Sequence, residues 1–383
     1  MILPQSVALS GTIGLFLIES IDEGATKIWC FGKKSRYQPA LTAQIMCGEL
    51  NRKFNVLRKM NQVIDRPDPN PILSFTDVTP IGGGLDRPES VHVCSGGGLI
   101  VSHRARGISR ITSDGRVTTH GPDAAQVNGA ELVPNGIAPQ ADGSVLIANI
   151  GEGGGIWRLT PDNRLEPVVS VVDGVELAAA NFVMSDADGR VWITVSTVQQ
   201  PRYNAYSDKV ADGLIVLIEN GQPRILADDI CFANECRLTP DGRGLVVSET
   251  FSRRITRFDL GPDGLRNRRT FVQFGRGDFP DGIRYDRAGN LWVTCIVSNR
   301  LWRIAPDGAA CLVLEDRDDA LIDRVETALS QGRMGREHFY DTGRSRLGNI
   351  ASIAFSDDER CAYLGSLCGT SILSIPVPQG DIA

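Results

Sequence analysis

Histidine is scarce in this chain. There are four, His92, His103, His120 and His338, and none stands at the HExxH spacing that puts two imidazoles on one helix face. No CxxC pair occurs among the nine cysteines, so neither a structural nor a catalytic zinc centre is expected. The cysteines are odd in number and scattered from Cys30 to Cys368, unlike the dense spacing of a disulfide-stapled secreted domain; reduced thiols and a cytoplasmic setting are expected. A long apolar run is also missing. Residues 1–20 lack a basic leader and are interrupted by Gln5, Ser6 and Ser10, so neither a signal peptide nor a membrane span is expected. Basic residues are too few for a nucleic-acid partner, since 40 Lys and Arg against 46 Asp and Glu leave a net charge of −6. A small-molecule ligand remains.

What the chain has in excess is glycine, 41 residues, with 20 prolines, and these punctuate a repeat. The segments GGGLIVSH (96–103), DGSVLIAN (142–149), DGRVWITV (188–195), DGRGLVVSE (241–249), AGNLWVTC (288–295) and DERCAYLGS (358–366) each join a turn signal to a short apolar run. A second strand with its own turn follows most copies. Trp192 and Trp292 share one repeat position and Trp157 and Trp302 another, all read as blade core. Six units of short strands with almost no helical periodicity predict an all-β fold, a six-bladed β-propeller over residues 81–383. Residues 1–80 carry no copy of the repeat and form an N-terminal extension of unassigned role; 51–65 has helical character and RPDPNP (66–71) reads as a linker. Two stretches interrupt the repeat: a polar insertion at 196–212, of a length common in lids and binding loops, and a charged helix expected within 316–336 with Leu321, Ile322, Val325, Ala328 and Leu329 on one face.

Before the first strand of each unit stands a polar residue: Glu89, Asn135, Asn181, Asn234, Asp281 and Asn349. The first strand of a propeller blade lines the central channel, so these six side chains should converge at one mouth. Asn135–Gly136 and Asp281–Gly282 could be simple turn formers. However, Ser90, Phe182 and Glu235 follow the polar residue in three other copies, so turn geometry is not the shared requirement, whereas an oxygen-bearing side chain is. Carboxylate and amide oxygens suit a hard divalent cation. Glu89, Asn234 and Asp281, with Asn181 close by, would neutralise one such ion and leave room for water or substrate. The ion could polarise a carbonyl, and an aspartate beside it could serve as general base.

The units NFVMSDADGRVWIT (181–194), FANECRLTPDGRGLVVSET (232–250) and FPDGIRYDRAGNLWVT (279–294) resemble successive blades of the SMP-30/gluconolactonase/luciferin-regenerating-enzyme family. The resemblance runs from about Leu85 to Pro376. It implies a six-bladed propeller hydrolysing lactones or related esters with one divalent metal in the channel, Ca²⁺ first, with Zn²⁺, Mn²⁺ and Mg²⁺ as alternatives. By its motifs Glu89, Asn234 and Asp281 would hold the metal, Asn181 would lie near metal or substrate, and Asp281 would be the general base. Asn135, Asn349, Glu235 and His103 are the remaining channel or substrate candidates, although a lone histidine such as His103 is more commonly structural. Two departures stand out. Glu235 and Cys236 follow Asn234 where the family usually has glycine, and Ala179 replaces an arginine of the sugar-lactone members, which points to a less polar lactone or ester. Two rival readings remain: a ligand- or protein-binding propeller with a structural ion, and a non-hydrolytic enzyme of isomerase or condensing type.

Overall fold

The computed structural model describes residues 71–380 apart from 105, together with strands at Leu9–Ser10, Leu15–Ile21, Ala25–Phe31 and Val63–Ile64. The chain divides into two compact units, Met1–Asn55 and Val56–Ala383. The first holds a three-stranded antiparallel sheet in which Leu15 pairs with Phe31 and Ile21 with Ala25. The helix expected over 51–65 lies outside the described residues except at Val63–Ile64, which is strand.

In the second unit six small sheets, antiparallel except for one edge strand, form the six blades of a β-propeller. Their innermost strands are Val91–Val93, Pro134–Pro139, Ala180–Ser185, Ala233–Leu238, Asp278–Tyr285 and Ile350–Phe355. Side chains on a strand alternate between its faces, and each face of a blade packs on a different neighbour. Along Val145–Asn149, Val145 and Ile147 join the core between blades one and two, while Leu146 and Ala148 join that between blades two and three. Every blade interface has its own apolar cluster of this kind. The two tryptophans sharing a repeat position are indeed core and share one bond: Trp192 Nε1 donates to Asp186 at 2.8 Å and Trp292 Nε1 to Asp286 at 2.9 Å.

The sixth repeat ends at Ile372–Pro376 with three strands, and Thr79–Ile81 completes the blade, pairing Ile81 with Ile372. Upstream, Val63–Ile64 runs parallel to Gln273–Phe274 of blade four, and the Leu73 amide bonds Val313 of blade five at 2.7 Å. The rim of blades four to six is therefore covered by residues that the sequence assigns to the extension, and the expected 80/81 boundary falls inside a strand. Such a cover removes unpaired sheet edges.

Both interruptions of the repeat fold onto one end of the ring. The helix Asp319–Ser330 buries Leu321, Ile322, Val325 and Ala328, and Asp318 caps it by accepting from the Ala320 amide at 3.0 Å. The 196–212 insertion packs beside it, with the Tyr206 ring 5.1 Å from Phe339 of the short helix Glu337–Tyr340 and 5.4 Å from Phe232 at the opening of blade four. No helix among the described residues is long and apolar enough to cross a membrane.

Candidate functional site

Four of the six polar residues sit inside the innermost strands, not before them, and each at a break in register. The pairing shifts between Pro134 and Ile137, Ala180 and Phe182, Ala233 and Cys236, and Pro280 and Ile283. A bulge bends the strand and re-aims a side chain, which is how Asn135, Asn181, Asn234 and Asp281 reach one mouth of the channel. The glycines after two of them are not turn residues. A Cβ on Gly136 would stand 2.6 Å from the Cα of Phe182, and one on Gly282 2.5 Å from the Cα of Ser352, so neighbouring blades approach too closely there for any side chain.

The buried side chains form a chain of bonds across blades. Arg87 donates through Nη2 to Asn135 Oδ1 at 2.7 Å and through Nη1 to the Pro134 carbonyl at 3.0 Å. Asn135 Nδ2 in turn faces Glu89 Oε1 at 2.9 Å and Asn181 Oδ1 at 3.2 Å. Asn181 donates to Ser196 Oγ at 2.9 Å, and Asn234 Nδ2 to Thr250 Oγ1 at 3.2 Å. Three oxygens are left over. Glu89 Oε2, Asn234 Oδ1 and Asp281 Oδ1 are buried without a donor, each at a cost of about 1–3 kcal/mol if nothing binds them.

Burial pushes the Glu89 carboxyl up to about 7, with Arg87 opposing the rise. Asp281 is held well above the ordinary carboxylate range by burial, with Glu89 and Glu235 adding like charge. Two carboxyls that resist ionisation, together with an unsatisfied amide oxygen, fit a hard divalent cation, which takes oxygen donors and favours the ionised forms. Among the described residues no group of three His, Cys, Asp or Glu comes together as a metal centre; the fit rests on two carboxylates plus an amide.

These residues line a cavity of about 410 Å³ that also takes its walls from both insertions, through Arg202, Tyr206 and Tyr340 among others. Glu89, Asn135, Asn181, Asn234 and Asp281 all line it. Asn349, Glu235 and His103 do not. Asn349 is spent on structure, donating to the Phe339 carbonyl at 2.7 Å and accepting from Asn299 at 3.1 Å. Glu235 Oε2 turns to Arg237 at 2.7 Å and to the Ile283 amide at 3.1 Å. His103 is buried at the end of Leu99–His103, its pKa lowered by desolvation. Cys236 is fully buried and its thiol pushed up to about 12 by desolvation, which leaves it inert. Sequence reasoning missed Arg87 and Arg202. Arg87 stands in the DRPES run that opens blade one and Arg202 beside Tyr203 in the insertion that interrupts the repeat, and neither belongs to the repeated polar position.

The family described as SMP-30/gluconolactonase/LRE-like region matches residues 100–315. Among curated proteins, 6-deoxy-6-sulfogluconolactonase of Pseudomonas putida is 28% identical over 158 residues, 40% of this chain and 52% of that protein. The strictosidine synthase-like protein 4 of Arabidopsis thaliana is 26% identical over 169 residues, 43% and 44% of the two chains. The chain thus spans about half the length of the curated relatives it matches. Two solved structures share the fold. A gluconolactonase from Xanthomonas campestris aligns with TM-score 0.57 at 18% identity over 79% of this chain and 89% of its own. The calcium-binding protein regucalcin from Agrobacterium tumefaciens aligns with TM-score 0.56 at 15% identity over 80% and 95%.

Proposed function

Because the chain belongs to the SMP-30/gluconolactonase/LRE-like family, we propose that it is a hydrolase of a lactone or related carboxylic ester, a small molecule taken into the channel-mouth cavity. The observation that carries this reading is the trio of donor-less buried oxygens on Glu89, Asn234 and Asp281. A divalent cation held by these residues, with Asn181 beside them, would polarise the substrate carbonyl and offset the charge that develops on its oxygen. Ca²⁺ is the first choice, given the all-oxygen donor set and a calcium-binding protein of this fold; Zn²⁺, Mn²⁺ and Mg²⁺ are alternatives.

The residues of the chain supply the rest. Asp281 accepts a proton from water as its oxygen adds to the carbonyl carbon, and returns that proton to the ring oxygen as the acyl–oxygen bond breaks, giving a hydroxy acid. Arg87 and Asn135 fix the carboxylate of Glu89 and the amide of Asn181 in place, so the site is preorganised. The seven cysteines among the described residues are free thiols, consistent with a reducing compartment such as the cytoplasm.

The test is turnover of a lactone panel with each cation in turn, beside calorimetric titration of the cation. Asp281→Ala should abolish turnover and weaken cation binding; a fully active variant refutes the mechanism. The strictosidine synthase-like relative favours one second reading, a non-hydrolytic enzyme on the same site. Product analysis separates them, since hydrolysis adds one water to the substrate. Cation binding without turnover of any substrate would favour a purely binding propeller.

A further inference from the structure

The cavity holds more positive charge than the proposed hydrolysis uses. Its walls carry Arg87, Arg104, Arg202 and Arg336 against Glu89, Glu131, Glu152 and Asp281. Arg104 stands 3.9 Å from Glu131. With Glu89 and Asp281 committed to a cation, Arg87 and Arg202 are left without a carboxylate.

Neither arginine makes an ion pair with any described residue, and both line the cavity. Arg202 Nε and Nη1 are buried with no acceptor, and so is Arg87 Nε, in a residue only 6% exposed. Arg202 is held rigidly for a long side chain: its guanidinium packs 5.3 Å from the Phe232 ring centroid and 5.8 Å from that of Tyr206. Leaving buried guanidinium donors unbonded is costly, and an arginine held by aromatic faces in the wall of a cavity suits a planar oxyanion. The same arginines act on Tyr340, which lines the cavity with them. Burial would raise its phenol, yet Arg87, Arg202, Arg104 and Arg336 together outweigh that and hold it below its ordinary value.

We propose that the substrate bears an anionic substituent, a carboxylate in its simplest form, which lies between Arg87 and Arg202 while the scissile carbonyl faces the oxygens of Glu89, Asn234 and Asp281. The choice of a lactone or ester rests on the hydrolase reading; the anion site rests on the two arginines and on the commitment of Glu89 and Asp281 to a cation. It replaces the expectation of a less polar substrate, which was drawn from the absence of an arginine at Ala179: the cationic groups are present, but they come from the blade-one opening and from the 196–212 insertion.

The test compares 5-oxotetrahydrofuran-2-carboxylate with its carboxamide, a pair matched in size and different in charge, and in parallel measures glutarate binding by calorimetry at fixed ionic strength. The parent should prefer the carboxylate by roughly tenfold or more in kcat/KM, mainly through KM, as expected for hydrogen bonds to a charged group. Arg202→Gln should bring that ratio near parity and weaken glutarate by a similar factor, whereas Arg202→Lys, which keeps the charge, should retain part of both. Equal kcat/KM for the two lactones in the parent overturns the proposal, as does an unchanged ratio in Arg202→Gln with an unaltered melting curve. Glutarate binding that depends on Arg202 without turnover of either lactone would leave the anion site standing and remove the hydrolase reading. Turnover of the carboxamide alone would do the opposite.

Discussion

Replacing Glu89 by Gln keeps an oxygen that can accept from Asn135 Nδ2 and removes the charge. In the parent, burial pushes this carboxyl up to about 7 in the folded protein, against 4.5 for an exposed glutamate. A folded-state pKa above the unfolded one means that the native state holds the proton more tightly, so stability is highest below about pH 4.5 and is lost as pH rises towards 7. Two to three pKa units correspond to a penalty of about 3 kcal/mol at pH 8 when no cation is present. Glu89→Gln escapes that penalty. In chelator at pH 8 it should melt above the parent, by about 5 °C for a domain of this size, and the difference should shrink to about a quarter of that near pH 5 and vanish below about pH 4. Adding calcium at about one thousand times its dissociation constant should raise parent stability by about 4 kcal/mol and leave the variant nearly unmoved, so the two exchange order. Scanning calorimetry at both pH values, with chelator and with calcium, reads all four states. If Glu89→Gln melts below the parent in chelator at pH 8, and calcium lifts both equally, Glu89 is neither a strained carboxylate nor a cation ligand.

The close approach of neighbouring blades makes Gly282→Ala costly. Its Cβ would press on the Ser352 backbone at 2.5 Å, and overpacking against backbone should destabilise by about 3 kcal/mol or more, read as a fall in the denaturation midpoint with an unchanged slope. A chain starting at residue 83 loses Thr79–Ile81, and with it the fourth strand of blade six and the packing of Leu73 and Ile81. It should lose about 3 kcal/mol or more and aggregate through the exposed Ile372–Pro376 edge, as light scattering during a thermal ramp would show; an unchanged melt would mean that the strand does not close the ring.

The fold was legible because a propeller repeats its information. Alternating apolar residues, a tight turn and a polar opening recur in every blade, so short strands that would be ambiguous singly reinforce one another. Asn135, Asn181, Asn234 and Asp281 could be found in the same way, since the repeated position is also the channel position. Three things were not legible. Thr79–Ile81 has no turn signature of its own and is defined only by its partner nearly 300 residues away. Asn349 and Asn234 occupy the same repeat position, yet Asn349 bonds the Phe339 carbonyl while Asn234 leaves its oxygen free, a difference set by the 316–347 insertion that covers one and not the other. Arg87 and Arg202 have no fixed spacing from the ring. The sequence alone determined the blades and the polar position within each, because those depend on local periodicity and turn chemistry. Tertiary structure decided which of those polar groups stay unpaired and which cations face them, because pairing depends on where insertions and blade interfaces place donors in space.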